Sequence, residues 1–260
     1  MRLKWYGTAS VLLEQDGTRL LFDPFFPLNK RLFAPPPEEY ASADRIFVTH
    51  GHLDHIAHIP RILRRGCGAA IYCTAAPRET LIAKGVPAER ICLVAPGTVL
   101  RSEPFEVRVL KGRHIAPDKR LVLATLLHPR VLLNLRNARY LAKENKACAE
   151  AGETVVYDVS AAGKRVLLPG SLNLDEGTLY PEGADLLLLP FQGRSGMADY
   201  AMPFIERLRP KKIMLIHFDN TFPPVSRDIK TEPFMARMRE SHPDIAIIRP
   251  KAGMDWLDAD

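Results

Sequence analysis

The stretch Thr49-His50-Gly51-His52-Leu53-Asp54-His55-Ile56 packs four metal-binding side chains, His50, His52, Asp54 and His55, into six residues. Just before it, Arg45 to Thr49 (RIFVT) is a β-branched and aromatic run, the composition of a short buried strand. The spacing puts His50 and His52 at the end of that strand, pointing the same way, with Gly51 allowing a turn between them. Asp54 and His55 follow where the chain turns into a helix expected over Ile56 to Arg65, so this pair faces a neighbouring point. Ligands this dense suit two adjacent cations sharing a water better than one cation. Neutral imidazole and carboxylate suit zinc, with manganese or iron as alternatives. A bound divalent ion lowers the pKa of water from roughly 15.7 to about 7, so hydrolysis at such a site needs no serine or cysteine nucleophile. Asp54, placed to accept a hydrogen bond from the attacking water, is the expected catalytic residue.

The string is similar to the signature of the metallo-β-lactamase superfamily, and the chain resembles that family over nearly its whole length. Lys4 to Leu13 followed by Thr18 to Asp23 reads as an opening hairpin turning at Gln15-Asp16-Gly17. It ends in Asp23-Pro24-Phe25, like the family's first motif. The resemblance implies that His50, His52 and His114 hold one metal while Asp54, His55 and His217 hold a second, one or two zinc ions in all. It also implies that Asp23, with Thr49, orients the histidines from behind. His114 follows the strand-like run that begins at Phe105, and His217 follows Lys211 to Ile216 (KKIMLI). The segment Leu186 to Pro224 looks like the branch of ascorbate-phosphate lactonase-like and acyl-ethanolamine phospholipase D-like hydrolases.

One position departs from the pattern. The family carries a glycine-aspartate pair whose carboxylate bridges both metals, whereas this chain has Gly170-Ser171. A hydroxyl is a far poorer ligand for a divalent cation, which leaves the second ion with Asp54, His55 and His217 alone. Asp175 either reaches in from the loop or flanks a short helix starting near Glu176.

The implied fold is α/β, a four-layer αβ/βα sandwich, formed as a single domain over residues 1–260. At 260 residues and 47% hydrophobic the chain can bury a large core. Strands are expected at Arg45 to Thr49, Ala70 to Cys73, Arg90 to Val94, Glu106 to Leu110, Thr154 to Ser160, Lys164 to Leu168, Leu186 to Leu189, Lys211 to Ile216 and Ile245 to Ile248. Further helices are expected at Pro77 to Lys84, Met197 to Leu208 and Glu232 to Arg239. No apolar run approaches the roughly 20 residues that span a bilayer. The N-terminus opens on a strand-like segment instead of a signal peptide, and Cys67, Cys73, Cys92 and Cys148 lack CxxC spacing. A reduced, cytoplasmic protein is expected.

Lys111 to Lys146 carries nine Lys or Arg against two acids, an excess larger than the net +6 of the whole chain. The basic character is therefore local. Apolar residues recur in this segment at helical spacing, with Pro129 separating two helices, so a helical insertion over residues 111–150 is expected beside the mouth of the site. It is either a lid with an electropositive inner face or a solvated basic surface. If its charge is functional, the partner is a small anionic substrate or an acidic membrane surface.

Lesser candidates are Arg194, as a clamp for phosphate or carboxylate, and Asp219, which either orients a ligand or reaches substrate. His58 is expected on the surface and His128 at a helix end. The function expected is a metal-dependent hydrolase acting on an ester, lactone or phosphodiester of a small anionic or lipid-like substrate. The alternatives are a binding protein whose second metal site Ser171 impairs, and a nuclease. Nucleic acid is disfavoured despite a pI of about 9.2, because family members that cut RNA commonly carry an additional inserted domain.

Overall fold

Leucine-rich and β-branched runs become strands, and their alternation sorts side chains between two cores. The computed structural model describes residues 1–116, 118–148, 150–253 and 255–259. Strands β1 (Arg2–Gly7), β2 (Ser10–Gln15), β3 (Thr18–Phe22), β4 (Arg45–Phe47), β5 (Ala70–Cys73) and β6 (Ile91–Leu93) lie in one sheet. Strands β7 (Val99–Ser102), β8 (Phe105–Lys111), β9 (Val155–Ala161), β10 (Lys164–Pro169), β11 (Leu186–Pro190), β12 (Lys212–Ile216) and β13 (Ala246–Ile248) form the other. Strand β14 (Leu257–Asp258) closes back onto β1. The helices are α1 (Pro37–Ala41), α2 (Leu53–Ile56), α3 (Ile59–Leu63), α4 (Ala75–Ala83), α5 (Lys119–Leu126), α6 (Arg130–Leu133), α7 (Leu135–Ala147), α8 (Met197–Leu208) and α9 (Glu232–Ser241).

Successive residues of a strand point to opposite faces. Val11, Leu13, Leu20 and Phe22 thus join Val107, Tyr157 and Val166 of the facing sheet in one core. Leu12 and Leu21 point the other way, onto Ile56, Ile59, Ile62 and Leu81 of α2, α3 and α4. On the far side of the second sheet, Ile205, Leu208, Phe234 and Met238 of α8 and α9 belong to the core that includes Leu187 and Leu189. Helix, sheet, sheet and helix give the four layers of the expected sandwich.

Strands β3 and β4 run parallel, as do β10, β11 and β12. Their carboxyl ends open on one edge, where ligand sites form in α/β sheets. Asp23, Thr49, Ser171, Gln192 and His217 all lie within three residues of these ends.

The structure corrects several expectations. Lys4 to Leu13 is not one strand: the chain reverses at Thr8-Ala9, with Gly7 at φ +108° and Thr8 at φ +51°. The helix expected over Ile56 to Arg65 is broken, because α3 begins one residue before Pro60, whose ring and missing N–H bar a continuous helix. The basic segment holds three helices, with a second break at Asn134. Around Glu176 there is a turn instead of a helix. Strands β7 and β14 and helix α1 were not expected. Among the described residues no helix is long and apolar enough to cross a membrane, and all four cysteines are free.

Candidate metal centre

Strand β4 delivers Val48, Thr49 and His50 to the carboxyl edge, and His52 then caps the single turn of α2 in extended backbone (φ −69°, ψ 155°). That turn carries Asp54 and His55, both buried. His114 arrives three residues beyond β8, held from both sides. The Ile115 amide donates to the Ser171 hydroxyl at 3.0 Å, and the Asn173 side-chain amide donates to the His114 carbonyl at 3.2 Å. His217 follows β12 in left-handed backbone at φ +57°, fixed by its amide donating to the Thr8 carbonyl at 2.8 Å. Asp23 follows β3 at φ +44°. Non-glycine residues rarely adopt such angles, and they gather where surrounding structure over-determines them.

These segments bring six side chains into two groups. One ring nitrogen from each of His50, His52 and His114, and one ligand atom from each of Asp54, His55 and His217, lie within 4.8 Å of one another in their respective groups. His50 Nε2 and His52 Nδ1 are 3.1 Å apart, while Asp54 Oδ2 is 3.0 Å from His217 Nε2 and 3.6 Å from His55 Nε2.

The hydrogen bonds behind the rings set which nitrogens are free. Asp23 accepts from the Thr49 amide (2.8 Å), the Thr49 hydroxyl (2.7 Å) and His55 Nδ1 (2.9 Å). The Thr49 hydroxyl, having donated its proton to Asp23, accepts from His50 Nδ1 at 3.1 Å. His217 Nδ1 is 3.1 Å from Gln192 Oε1. With Nδ1 of His55 and His217 so engaged, their Nε2 atoms converge on the Asp54 carboxylate, while His50 Nε2 turns toward His52 Nδ1. Ring nitrogens and a carboxylate converging in this way favour positive charge, and the donor set of imidazole and carboxylate fits a divalent metal.

Burial, helped by the neighbouring imidazoles, drives the proton affinity of His50 well below the ordinary histidine range. Burial likewise lowers His52, and lowers His114 to about 4. These three rings are neutral near pH 7, the form that binds metal. The second group differs. Burial opposes the charged forms there, but Asp23 and Asp54 outweigh it and raise His55. His55 and His217 in turn hold the Asp54 carboxyl below its usual range against its own burial.

Gly170 is the close approach on which this depends. A β-carbon there would stand 2.4 Å from Thr49 Cβ and 2.6 Å from its hydroxyl. Gly170 therefore lets β10 lie against the Asp23–Thr49 lock, with Ser171 immediately beyond it.

Other expectations find different places. Asp175 joins neither group: it pairs with Lys111 (3.1 Å) and Arg113 (3.5 Å) and accepts from the Thr178 hydroxyl. Its charge is spent on cations that β8 carries to the same rim. Arg194 donates to the Ala116 carbonyl at 2.9 Å and lies over the Tyr200 ring, so it braces the chain after His114 instead of clamping an anion. Asp219 is turned inward, accepting from the Thr8 amide and the Thr221 hydroxyl, and thereby holds the loop that fixes His217. His58 is buried, not exposed. Its Nδ1 accepts from the Phe26 amide at 2.9 Å, and burial lowers its proton affinity to about 4. His128 caps locally, its Nδ1 accepting from the Arg130 amide.

Two functional neighbours escaped the sequence reading. Gln192 lies two residues past β11, where Pro190 is paired with Ile216, so parallel pairing alone brings it to His217. Glu150 takes hydrogen bonds from Gly152 and Thr154 that hold its carboxyl below the usual range against partial burial, and its charge reaches His114 and His52.

Comparison with known proteins gives a consistent picture. A family model described as beta-lactamase superfamily domain matches residues 2–217. A Heliobacterium modesticaldum protein described as a metal-dependent hydrolase is 27% identical over 88% of this chain and 87% of its own length. A Methanopyrus kandleri protein of the same description is 27% identical over 98% and 99%. Among solved structures, a metallo hydrolase from Ignicoccus hospitalis superposes with a TM-score of 0.66 at 21% identity, covering 99% of this chain and 98% of that one. A diiron β-hydroxylase from Streptomyces venezuelae reaches 0.65 at 13% identity, covering 98% of this chain and 53% of that one.

Proposed function

We propose, from the premise that this chain belongs to the beta-lactamase superfamily domain family, that it is a metal-dependent hydrolase whose two ligand groups act as one centre. The observation that supports this most is the convergence of His55 Nε2, His217 Nε2 and Asp54 Oδ2 beside a second set of three neutral imidazoles. The fold alone would not choose the reaction, since it also carries a diiron hydroxylase.

His50, His52 and His114 would hold one cation, and Asp54, His55 and His217 the other. When bound, divalent ions supply Lewis acidity and make water acidic enough to attack near pH 7. The chain's own residues do the rest. Asp54, charged and beside His55 and His217, would orient the attacking water and receive its proton. Asp23 and Gln192 fix the rings of His55 and His217 so that Nε2 faces inward, and Thr49 does the same for His50. The substrates proposed are esters, lactones or phosphodiesters of small anionic or lipid-like molecules, with zinc the first metal to test.

Purified protein reconstituted with zinc, manganese or iron should hydrolyse at least one generic ester, lactone or phosphodiester. Chelation should abolish that activity, and Asp54→Asn should lower kcat by two orders of magnitude or more, in line with loss of a general base. Metal-loaded protein inert on all three bond types would remove the hydrolase proposal and favour a binding role.

A further inference from the structure

Thirteen large apolar side chains are exposed among the described residues, and seven of them fall between Val122 and Leu135. Leu126, Leu127, Leu132 and Leu133 are 66%, 74%, 72% and 84% exposed. Neither α5 nor α6 buries a single residue, and α7 buries only Leu141. Scattered exposed leucines are ordinary, but a cluster on consecutive short helices marks an interaction surface.

Loose packing does not account for this display, because the insertion is anchored at its root by polar contacts. Ser195 bonds Asp118, Arg194 bonds the Ala116 carbonyl, and Arg130 reaches the Pro224 and Ser226 carbonyls. Leu141 and Tyr140 dock α7 onto the core behind α2. The root therefore spans the chain just after His114 and the loop after His217, and the leucines beyond it are left exposed. Val225, half-exposed beside Pro224, extends the apolar surface.

Charge selects the occupant. Between residues 119 and 143 there are six Lys or Arg and no acid. Lys119 and Arg120 open α5, while exposed Arg136, Arg139 and Lys143 form a stripe along α7 opposite Leu141. An apolar face with flanking Lys and Arg is the composition of helices that lie in the interface of a bilayer. A second copy of this chain would set the same cations against each other. We infer that the tip of residues 122–135 seats in an anionic lipid surface, its leucines among the acyl chains and its arginines and lysines on the headgroups. This docking is independent of the hydrolase proposal, since it requires no turnover. Where both hold, the metal edge faces the surface from which a lipid-like substrate would enter.

The test is sedimentation of the full-length protein with vesicles of phosphatidylcholine alone and of phosphatidylcholine mixed with phosphatidylglycerol. The parent should bind the mixed vesicles and scarcely the neutral ones. Leu132→Ser with Leu133→Ser should weaken binding at least tenfold, because each leucine leaves the apolar phase. Arg136→Gln with Arg139→Gln should weaken it about fivefold per charge and reduce its dependence on salt. All of these side chains are exposed, so circular dichroism and metal content should match the parent and separate lost docking from lost folding. No binding of the parent to anionic vesicles, or equal binding by the leucine variant, would overturn the inference. A parent that is dimeric in solution and becomes monomeric in the leucine variant would also overturn it, assigning the surface to a second copy.

Discussion

The two ligand groups share one loop yet sit in opposite electrostatic surroundings. Around His50, His52 and His114 no carboxylate among the described residues hydrogen-bonds a ring. Burial keeps them neutral against the more distant charges of Asp54 and Glu150, which favour a cation but do not outweigh it. Around His55 and His217 stand two buried carboxylates, Asp54 in the group and Asp23 behind it. The first group offers neutral imidazoles that no carboxylate hydrogen-bonds among the described residues. The second attracts positive charge so well that a proton competes with the metal for it. Neighbouring groups fed by one loop are therefore not equivalent sites, because the carboxylates among and behind the rings set how each one loads.

The largest effect should come from the part both groups share. In Gly170→Ala the new methyl must displace Thr49, the residue that accepts from His50 and donates to Asp23. Overpacking of this kind costs about 1–3 kcal/mol. The expected outcome is a lowered thermal midpoint together with poor metal retention in both groups. A variant that melts and loads like the parent would show that Thr49 can move without harm.

Asp23→Asn separates the groups. Every donor around Asp23 needs an acceptor, and an amide can supply only one oxygen. Metal affinity of the second group should fall about 10–100-fold, as when a partner behind a ligand histidine is lost, with the first group much less affected. Calorimetric titration of apo-protein reads both, and an equal fall in the two affinities would mean that the groups load as a unit.

Acid should separate them again. His55 has its proton affinity raised, so it keeps its proton to a higher pH than an ordinary imidazole and releases its metal first as pH falls. The first group, with His114 lowered to about 4, should hold its ion through that range. Metal retained after dialysis across a pH series checks the order; simultaneous release, or earlier loss from the first group, would break the contrast.

The smallest effect is expected at Ser171. Its hydroxyl accepts from the Ile115 amide beside His114, and Asp175, the acid expected as a substitute for a bridging carboxylate, is tied to Lys111 and Arg113. Ser171→Asp should tighten metal binding by the second group severalfold, read by the same titration. Unchanged affinity would place residue 171 outside reach of either ion.

The sequence made much of this site legible because its ligands lie close together in the chain or directly after strand-like runs. His50, His52, Asp54 and His55 come from one string, and His114 and His217 follow the hydrophobic runs that became β8 and β12. What escaped it depended on strand neighbours and on chain breaks. Gln192 reaches His217 only through the parallel pairing of β11 with β12. Asp175 meets Lys111 and Arg113 across a bridge between Gly112 and Leu174 that joins distant segments. His58 was misplaced because a continuous helix would have carried it outward, whereas the break before α3 turns it onto Phe25, at 4.5 Å between ring centroids. Edge strands β7 and β14 carry no buried residue, so their pattern is faint.

Elemental analysis of metal-reconstituted protein, with His50→Ala and His217→Ala alongside, tests the two-group centre most directly. The account predicts two divalent ions per chain in the parent, one for each group, with each variant losing the ion of its own group. Equal metal content in the parent and both variants would contradict it.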